Sequence, residues 1–145
     1  MTELHGECMC GAVTITATPA RDALGACHCD MCRRWTSSAY VSFPVEPGYA
    51  ALGPVKVYGS SDWAERAFCG RCGSALWYRI TLAGEMHGQT QMAAGLFDNA
   101  GGNALKLELY IDKEPEGYAF AGERRQMTQA EVEAMYALPD QGDSQ

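Results

Sequence analysis

Seven cysteines stand in three tight groups: Cys8-Met9-Cys10, Cys27-His28-Cys29-Asp30-Met31-Cys32 and Cys69-Gly70-Arg71-Cys72. A thiolate is a soft donor, and zinc takes four such donors in a tetrahedron. Cysteines one or two residues apart can place two sulfurs on one ion with only a short loop between them. Seven thiols make one complete set of four and a remainder of three. An ion held by three protein donors keeps one position open, and an open position is where zinc chemistry takes place.

Other fates for these thiols weigh less. Disulfides would leave one thiol over, and Met1-Thr2-Glu3-Leu4-His5 has neither the basic start nor the apolar run of a secretory leader. The expected location is therefore cytoplasmic. The run Cys27-x-Cys29-x-x-Cys32 does not match the ferredoxin spacings of iron–sulfur proteins. Cysteines buried merely as small hydrophobes have no reason to cluster. A protein whose zinc is purely structural is the main alternative.

Around the thiols, His28 lies between two candidate ligands. Side chains alternate along an extended segment, so His28 is expected to point away from Cys27 and Cys29. His5 and His87 have no motif around them and read as surface. Trp35, Trp63 and Trp77 read as core or pocket wall, with Trp35 the pocket candidate because it follows Cys32-Arg33-Arg34. Asp98 reads as a turn residue. The net charge of −7 and the pI of about 4.8 exclude nucleic acid as the expected partner. The charge is uneven, since Arg33, Arg34, Arg66, Arg71 and Arg79 lie in or near the cysteine groups while much of the acid follows Lys113. A locally basic site on an acidic protein suits a small anionic ligand; the same arginines read equally well as solvated surface. No stretch approaches the length of a membrane helix.

The elements that must position these residues read mostly as strands. At 145 residues and 47% hydrophobic, the chain is expected to form one domain over residues 1–138, with 139–145 a disordered tail. Residues 11–17 and 39–45 alternate apolar and polar positions at period two, the latter stopped by Pro44 and Pro47. Val55-Lys56-Val57-Tyr58 is a short strand. Arg66-Ala67-Phe68 leads into the third cysteine group and residues 75–79 lead out of it. That is a hairpin flanking a metal knuckle, with Gly70 and Gly73 permitting the tight backbone. Residues 92–97 and 105–111 are further strands, separated by the turn 98–103. One helix is predicted near the C-terminus: Thr128-Gln129-Ala130-Glu131 reads as a capping box, followed by an apolar face of Val132, Met135 and Tyr136.

Taken together, Cys8-x-Cys10-Gly11-x-Val13, Cys27-His28-Cys29-x-x-Cys32-Arg33-Arg34 and Phe68-Cys69-x-x-Cys72-Gly73-Ser74-x-Leu76 resemble the glutathione-dependent formaldehyde-activating enzyme family. These proteins are also called S-(hydroxymethyl)glutathione synthase-like, and the centromere protein V type belongs with them. The segment Leu109-Tyr110-Ile111-Asp112-Lys113-x-Pro115-x-Gly117-Tyr118 is similar to the family's closing part, and the resemblance runs to about Phe120. It implies a mostly β, Mss4-like fold of small antiparallel sheets around zinc sites, with one short C-terminal helix. It also implies a partition that spacing leaves open. Cys8, Cys10, Cys69 and Cys72 would hold one structural zinc; Cys27, Cys29 and Cys32 would hold a second with an open position and carry the catalysis. Four thiolates on a divalent ion leave −2, a saturated centre, while three leave −1 and room for another thiolate or water. Arg33, Arg34 and Trp35 would then bind the substrate.

The activity implied is carbon–sulfur bond formation between a small thiol such as glutathione and an aldehyde such as formaldehyde, or its reverse, hence a lyase. The partners implied are small molecules, with no membrane and no nucleic acid; a homo-oligomer stays open. The chain departs from the family at Thr36-Ser37-Ser38, where many members carry a glycine. Side chains there would narrow the cavity or supply hydroxyl donors. The competing expectation is a non-catalytic zinc-stabilised binding or thiol-carrier module, similar to the guanine-nucleotide-exchange chaperone of the same fold. The second cysteine group speaks against it, because a scaffold needs only one zinc.

Overall fold

The structure, a computed structural model, describes residues 1–136, so the expected tail at 139–145 lies outside the described residues. The elements run β1 (Leu4–Glu7), β2 (Thr14–Ala17), β3 (Ala23–Cys27), α1 (Asp30–Thr36), β4 (Tyr40–Pro44), β5 (Ala50–Leu52) and β6 (Val55–Gly59). They continue with β7 (Ala64–Cys69), β8 (Ala75–Ile80), β9 (Thr90–Ala93), β10 (Ala104–Leu109), β11 (Arg125–Met127) and α2 (Gln129–Tyr136). The fold is mostly β, as expected. No helix among the described residues is long and apolar enough to cross a membrane.

These elements gather into two compact units that are interleaved in sequence. The first comprises Met1–Asp22 and Ser42–Asn103. In it β2 pairs antiparallel with β1 and β5, and its alternation is the one read from sequence, with Ile15 and Ala17 buried and Thr14 exposed. An antiparallel run β6, β7, β8, β9 and the end of β4 forms its other sheet. Val13, Phe43, Leu76 and Met92 are fully buried in its core, and Phe43 meets Phe97 with ring centroids 5.4 Å apart. The expected strand over 92–97 is cut short, because Ala94–Leu96 turns into a 3-10 helix after β9.

The second unit comprises Ala23–Val41 and the chain from Ala104 onward. Here the pairing is parallel: β10 lies between β3 and β11 and runs parallel to both. Parallel neighbours need a long crossover, and between β3 and β10 that crossover contains most of the first unit. The register sets Ala26 beside Glu108 and Cys27 beside Leu109. The strand expected to reach residue 111 stops at Leu109 because Tyr110 takes a left-handed conformation, with φ of 57°. The capping box at α2 forms in both directions, Glu131 N donating to Thr128 Oγ1 (3.3 Å) and Thr128 N to Glu131 Oε1 (3.0 Å). Of the expected apolar face, Val132 is buried and Met135 is exposed. A second helix, α1, was not read from the sequence.

Candidate metal centres

In the first unit the chain brings Cys8, Cys10, Cys69 and Cys72 together, with all four sulfurs within 4.8 Å of one another. Cys8 follows β1, and Cys69 ends β7. Each cysteine pair is closed by a glycine at positive φ directly after its second cysteine. Gly11 (79°) returns its N–H to Cys8 O at 3.0 Å, and Gly73 (81°) returns its N–H to Cys69 O at 2.9 Å. That curl turns both thiols of a pair to one side. The separations of 3.7 Å for Cys8–Cys10 and 3.9 Å for Cys10–Cys69 can be compared with a tetrahedron. Zinc–sulfur bonds of about 2.3 Å give sulfur–sulfur edges of about 3.8 Å, so these residues fit the ion.

Backbone N–H groups point at the sulfurs, as thiolates require: Val13 at Cys8 (3.2 Å), and Arg71 and Cys72 at Cys69 (3.3 and 3.4 Å). Ser74 Oγ lies 3.2 Å from Cys72 Sγ and accepts from Met9 N at 3.0 Å, so it links the two loops. The thiols of Cys72 and Cys10 are shifted in opposite directions. The Ser74 hydroxyl, with its backbone, holds Cys72 down to about 5. The Ala12 backbone acts to lower Cys10, but burial and the three neighbouring sulfurs lift it to about 11. Four thiolates this close need a cation.

In the second unit Cys27, Cys29 and Cys32 form a separate group, again with sulfurs within 4.8 Å of one another. Cys27 ends β3. Cys29 caps α1, its sulfur accepting Cys32 N–H at 3.4 Å, and Cys32 sits in the first turn. Cys29 and Cys32 are buried and Cys27 is half-buried. The neighbouring Cys29 and Cys32 sulfurs, followed by burial, push the Cys27 thiol well above its ordinary value. Among the described residues no fourth Cys, His, Asp or Glu donor completes this group. None of the seven cysteines is in a disulfide. The chemistry of both donor sets, soft, convergent and crowded, fits zinc.

Helix α1 carries its own sequence signals, seen only in retrospect: Asp30 in the first turn, Arg33 and Arg34 in the last, and an i, i+3 ion pair of Arg33 with Asp30. That ion pair, with the bond from Arg33 Nε to His28 O (3.2 Å), ties Arg33 into the loop. Arg34 is exposed. Trp35 is half-buried against Tyr40, with centroids 5.0 Å apart. Arg66 belongs to neither centre: it is buried in the first unit, 5.1 Å from the ring centroid of Tyr78. At the departure Thr36-Ser37-Ser38, Ser37 occupies the left-handed position that ends α1, with φ of 69°, where a glycine would be unstrained. Thr36 Oγ1 bonds Cys32 O and Ser38 O (3.0 and 2.9 Å), so its hydroxyl closes the helix end.

His28 points away from the sulfurs, as the alternation predicted. Its Nε2 donates to Glu108 Oε1 at 2.8 Å and lies 3.5 Å from Glu114 Oε2. Glu108 in turn accepts from Arg124 Nη1 (2.8 Å) and Gln126 Nε2 (3.1 Å). Burial acts to raise the Glu108 carboxyl, but the bond from His28, with those from Gln126 and Arg124, outweighs it and holds the group below the usual carboxylate range. None of Glu108, Glu114, Arg124 and Gln126 was singled out in sequence. Glu108 sits between Leu107 and Leu109 on β10, two residues from Lys106, and nothing in that local pattern marks it as buried.

The sequence model described as glutathione-dependent formaldehyde-activating enzyme matches residues 3–113 of the chain. An uncharacterized lyase of Schizosaccharomyces pombe is 32% identical over 134 residues, covering 91% of this chain and 96% of that protein. A solved Rhodobacter sphaeroides protein shares the fold, with a TM-score of 0.53 at 17% identity over 86% of this chain and all of its own. With the cysteine pattern, the matched span and the yeast relative in agreement, the chain belongs to the glutathione-dependent formaldehyde-activating enzyme family.

Proposed function

We propose that the Cys27, Cys29 and Cys32 group is the active centre of a carbon–sulfur lyase that joins a small thiol to an aldehyde, or cleaves the product. One observation carries the reading: among the described residues these three sulfurs converge with no fourth Cys, His, Asp or Glu donor beside them, while the other four form a complete set. Zinc bound there would lower the pKa of an incoming thiol and keep it as thiolate near neutral pH. Cys27, Cys29 and Cys32 would supply the negative charge that holds the ion and would leave room for a further sulfur donor. Arg34, exposed on the same helix, is placed to meet carboxylates of an anionic thiol such as glutathione. Arg33 serves the site by fixing the loop, and Trp35 by walling it. Once the thiol and aldehyde are side by side, the sulfur attacks the carbonyl carbon. A carbon–sulfur bond forms as the carbonyl π bond breaks, the carbonyl oxygen takes the proton the thiol lost, and a hemithioacetal results, the S-(hydroxymethyl) adduct when the aldehyde is formaldehyde. Holding the two reactants together is the larger part of such catalysis.

The Mss4-like assignment of the fold and a cytoplasmic location belong to the same reading. The test is an exchange measurement by NMR of glutathione and labelled formaldehyde with zinc-loaded protein. Exchange faster than the spontaneous rate, abolished in a folded Cys29→Ala variant, is the expected result. Exchange at the spontaneous rate, with glutathione bound, would instead make the chain a thiol carrier.

A further inference from the structure

Behind the three-cysteine loop lies a polar cluster that the lyase reading does not use. His28 is 0% and Glu108 1% exposed. A fully buried imidazole is costly unless its polar atoms are bonded; here Nδ1 has no hydrogen-bond partner and Nε2 has one, and the bonds of the residue restrain the segment from Cys27 to Cys29. The ring is held at Nε2 by its hydrogen bond to Glu108, with Glu114 Oε2 3.5 Å from the same atom. The main chain of the same residue is held at both polar groups: His28 N donates to Leu109 O at 2.9 Å, and His28 O accepts Arg33 Nε at 3.2 Å. Glu108 is itself fixed by Arg124 and Gln126. His28 therefore anchors its loop through side chain and backbone at once. Because side chains alternate, anchoring the ring on one side fixes the direction in which Cys27 and Cys29 project on the other.

The cluster brings one His and two Glu donors within 4.8 Å, a set that could in principle take a hard cation. Arg124 Nη1 lies 2.8 Å from Glu108 Oε2, so that carboxylate already has a cationic partner from within the chain.

We propose that His28, bonded to Glu108 through its ring and to Leu109 and Arg33 through its backbone, is a positioning residue that pre-orients Cys27 and Cys29 for the ion. The inference rests on the reading of the three-cysteine group as a metal centre, though not on the reaction. Groups that orient metal ligands from behind are worth about 10- to 100-fold in metal affinity. The four-cysteine group, which has no part in the cluster, serves as the internal control.

The experiment is cobalt loading of the full chain, read by stoichiometry, by the thiolate-to-cobalt charge-transfer spectrum and by the rate of removal with a chelator. The wild type should take two equivalents. In His28→Phe, which keeps the ring volume, one equivalent should leave at least about tenfold faster with an altered spectrum, while the other behaves as in the wild type. His28→Gln, whose amide nitrogen is as many bonds from the backbone as Nε2, should recover most of the retention. Unchanged spectra and release in His28→Phe overturn the inference and leave the metal centre standing. Equal loosening of both equivalents also overturns it, because the residue would then support folding generally. A wild type that takes one equivalent removes the metal centre itself, and this inference with it.

Discussion

The two cysteine groups use the same donor chemistry in opposite ways. The four-cysteine group joins segments far apart in the chain, Cys10 and Cys69 being 59 residues apart. An ion there closes a long loop, and in the unfolded chain no such site exists, so its binding energy is folding energy. The three-cysteine group draws on one segment at the end of β3 and the start of α1. An ion there closes almost nothing, and the loop owes its shape to the bonds behind His28. On this reading a saturated centre that would hold the fold coexists with a donor-poor centre whose geometry would be maintained by hydrogen bonds.

The comparison can be broken most directly at the cysteines. Cys69→Ala should abolish the cooperative thermal transition of the first unit, followed by circular dichroism, and chelation should do the same to the wild type. Cys29→Ala should leave the transition in place while removing one equivalent of zinc by elemental analysis. If both variants unfold alike, the two groups do not differ in role. Next in size is Glu108→Gln, which leaves the buried Arg124 guanidinium without its charge partner and should cost about 3 kcal/mol in denaturant unfolding. Its pH dependence has a defined sign. Glu108 is held below its ordinary value in the folded chain, so its contribution is complete above the unfolded carboxylate pKa of about 4.3 and is lost as the pH falls through the lower folded value. The gap between wild type and variant should therefore be widest near neutrality and close on acidification. A gap that widened in acid would contradict the ion-paired carboxylate. The smallest effect is expected at Ser37→Gly, which relieves the left-handed strain at the end of α1 and should stabilise the second unit by up to about 1 kcal/mol. Destabilisation there would mean that the Ser37 side chain makes a contact worth more than its strain.

Much of this was legible in one dimension. The period-two alternation at Ile15 and Ala17, the hairpin around Cys69 and Cys72, and the capping box at Thr128 and Glu131 are local patterns, and each appears where expected. Helix α1 was missed because its seven residues are too few for a periodic pattern and its cap is a cysteine. Strand β3 was missed because Ala23-Leu24-Gly25-Ala26-Cys27 offers small side chains with little β preference. Glu108 escaped notice because a glutamate in an alternating strand reads as solvated unless its partner is known.

What the sequence determined by itself was the supply of donors. Thiols at C-x-C and C-x-x-C spacing converge through short-range backbone geometry, and that geometry is written in neighbouring residues. Only the tertiary structure decided how the seven divide into four and three, and what stands behind His28. Both depend on contacts between residues tens of positions apart, His28 and Glu108 being separated by 80. The parallel register of β3 on β10 creates that contact, and the packing of whole strands sets such a register.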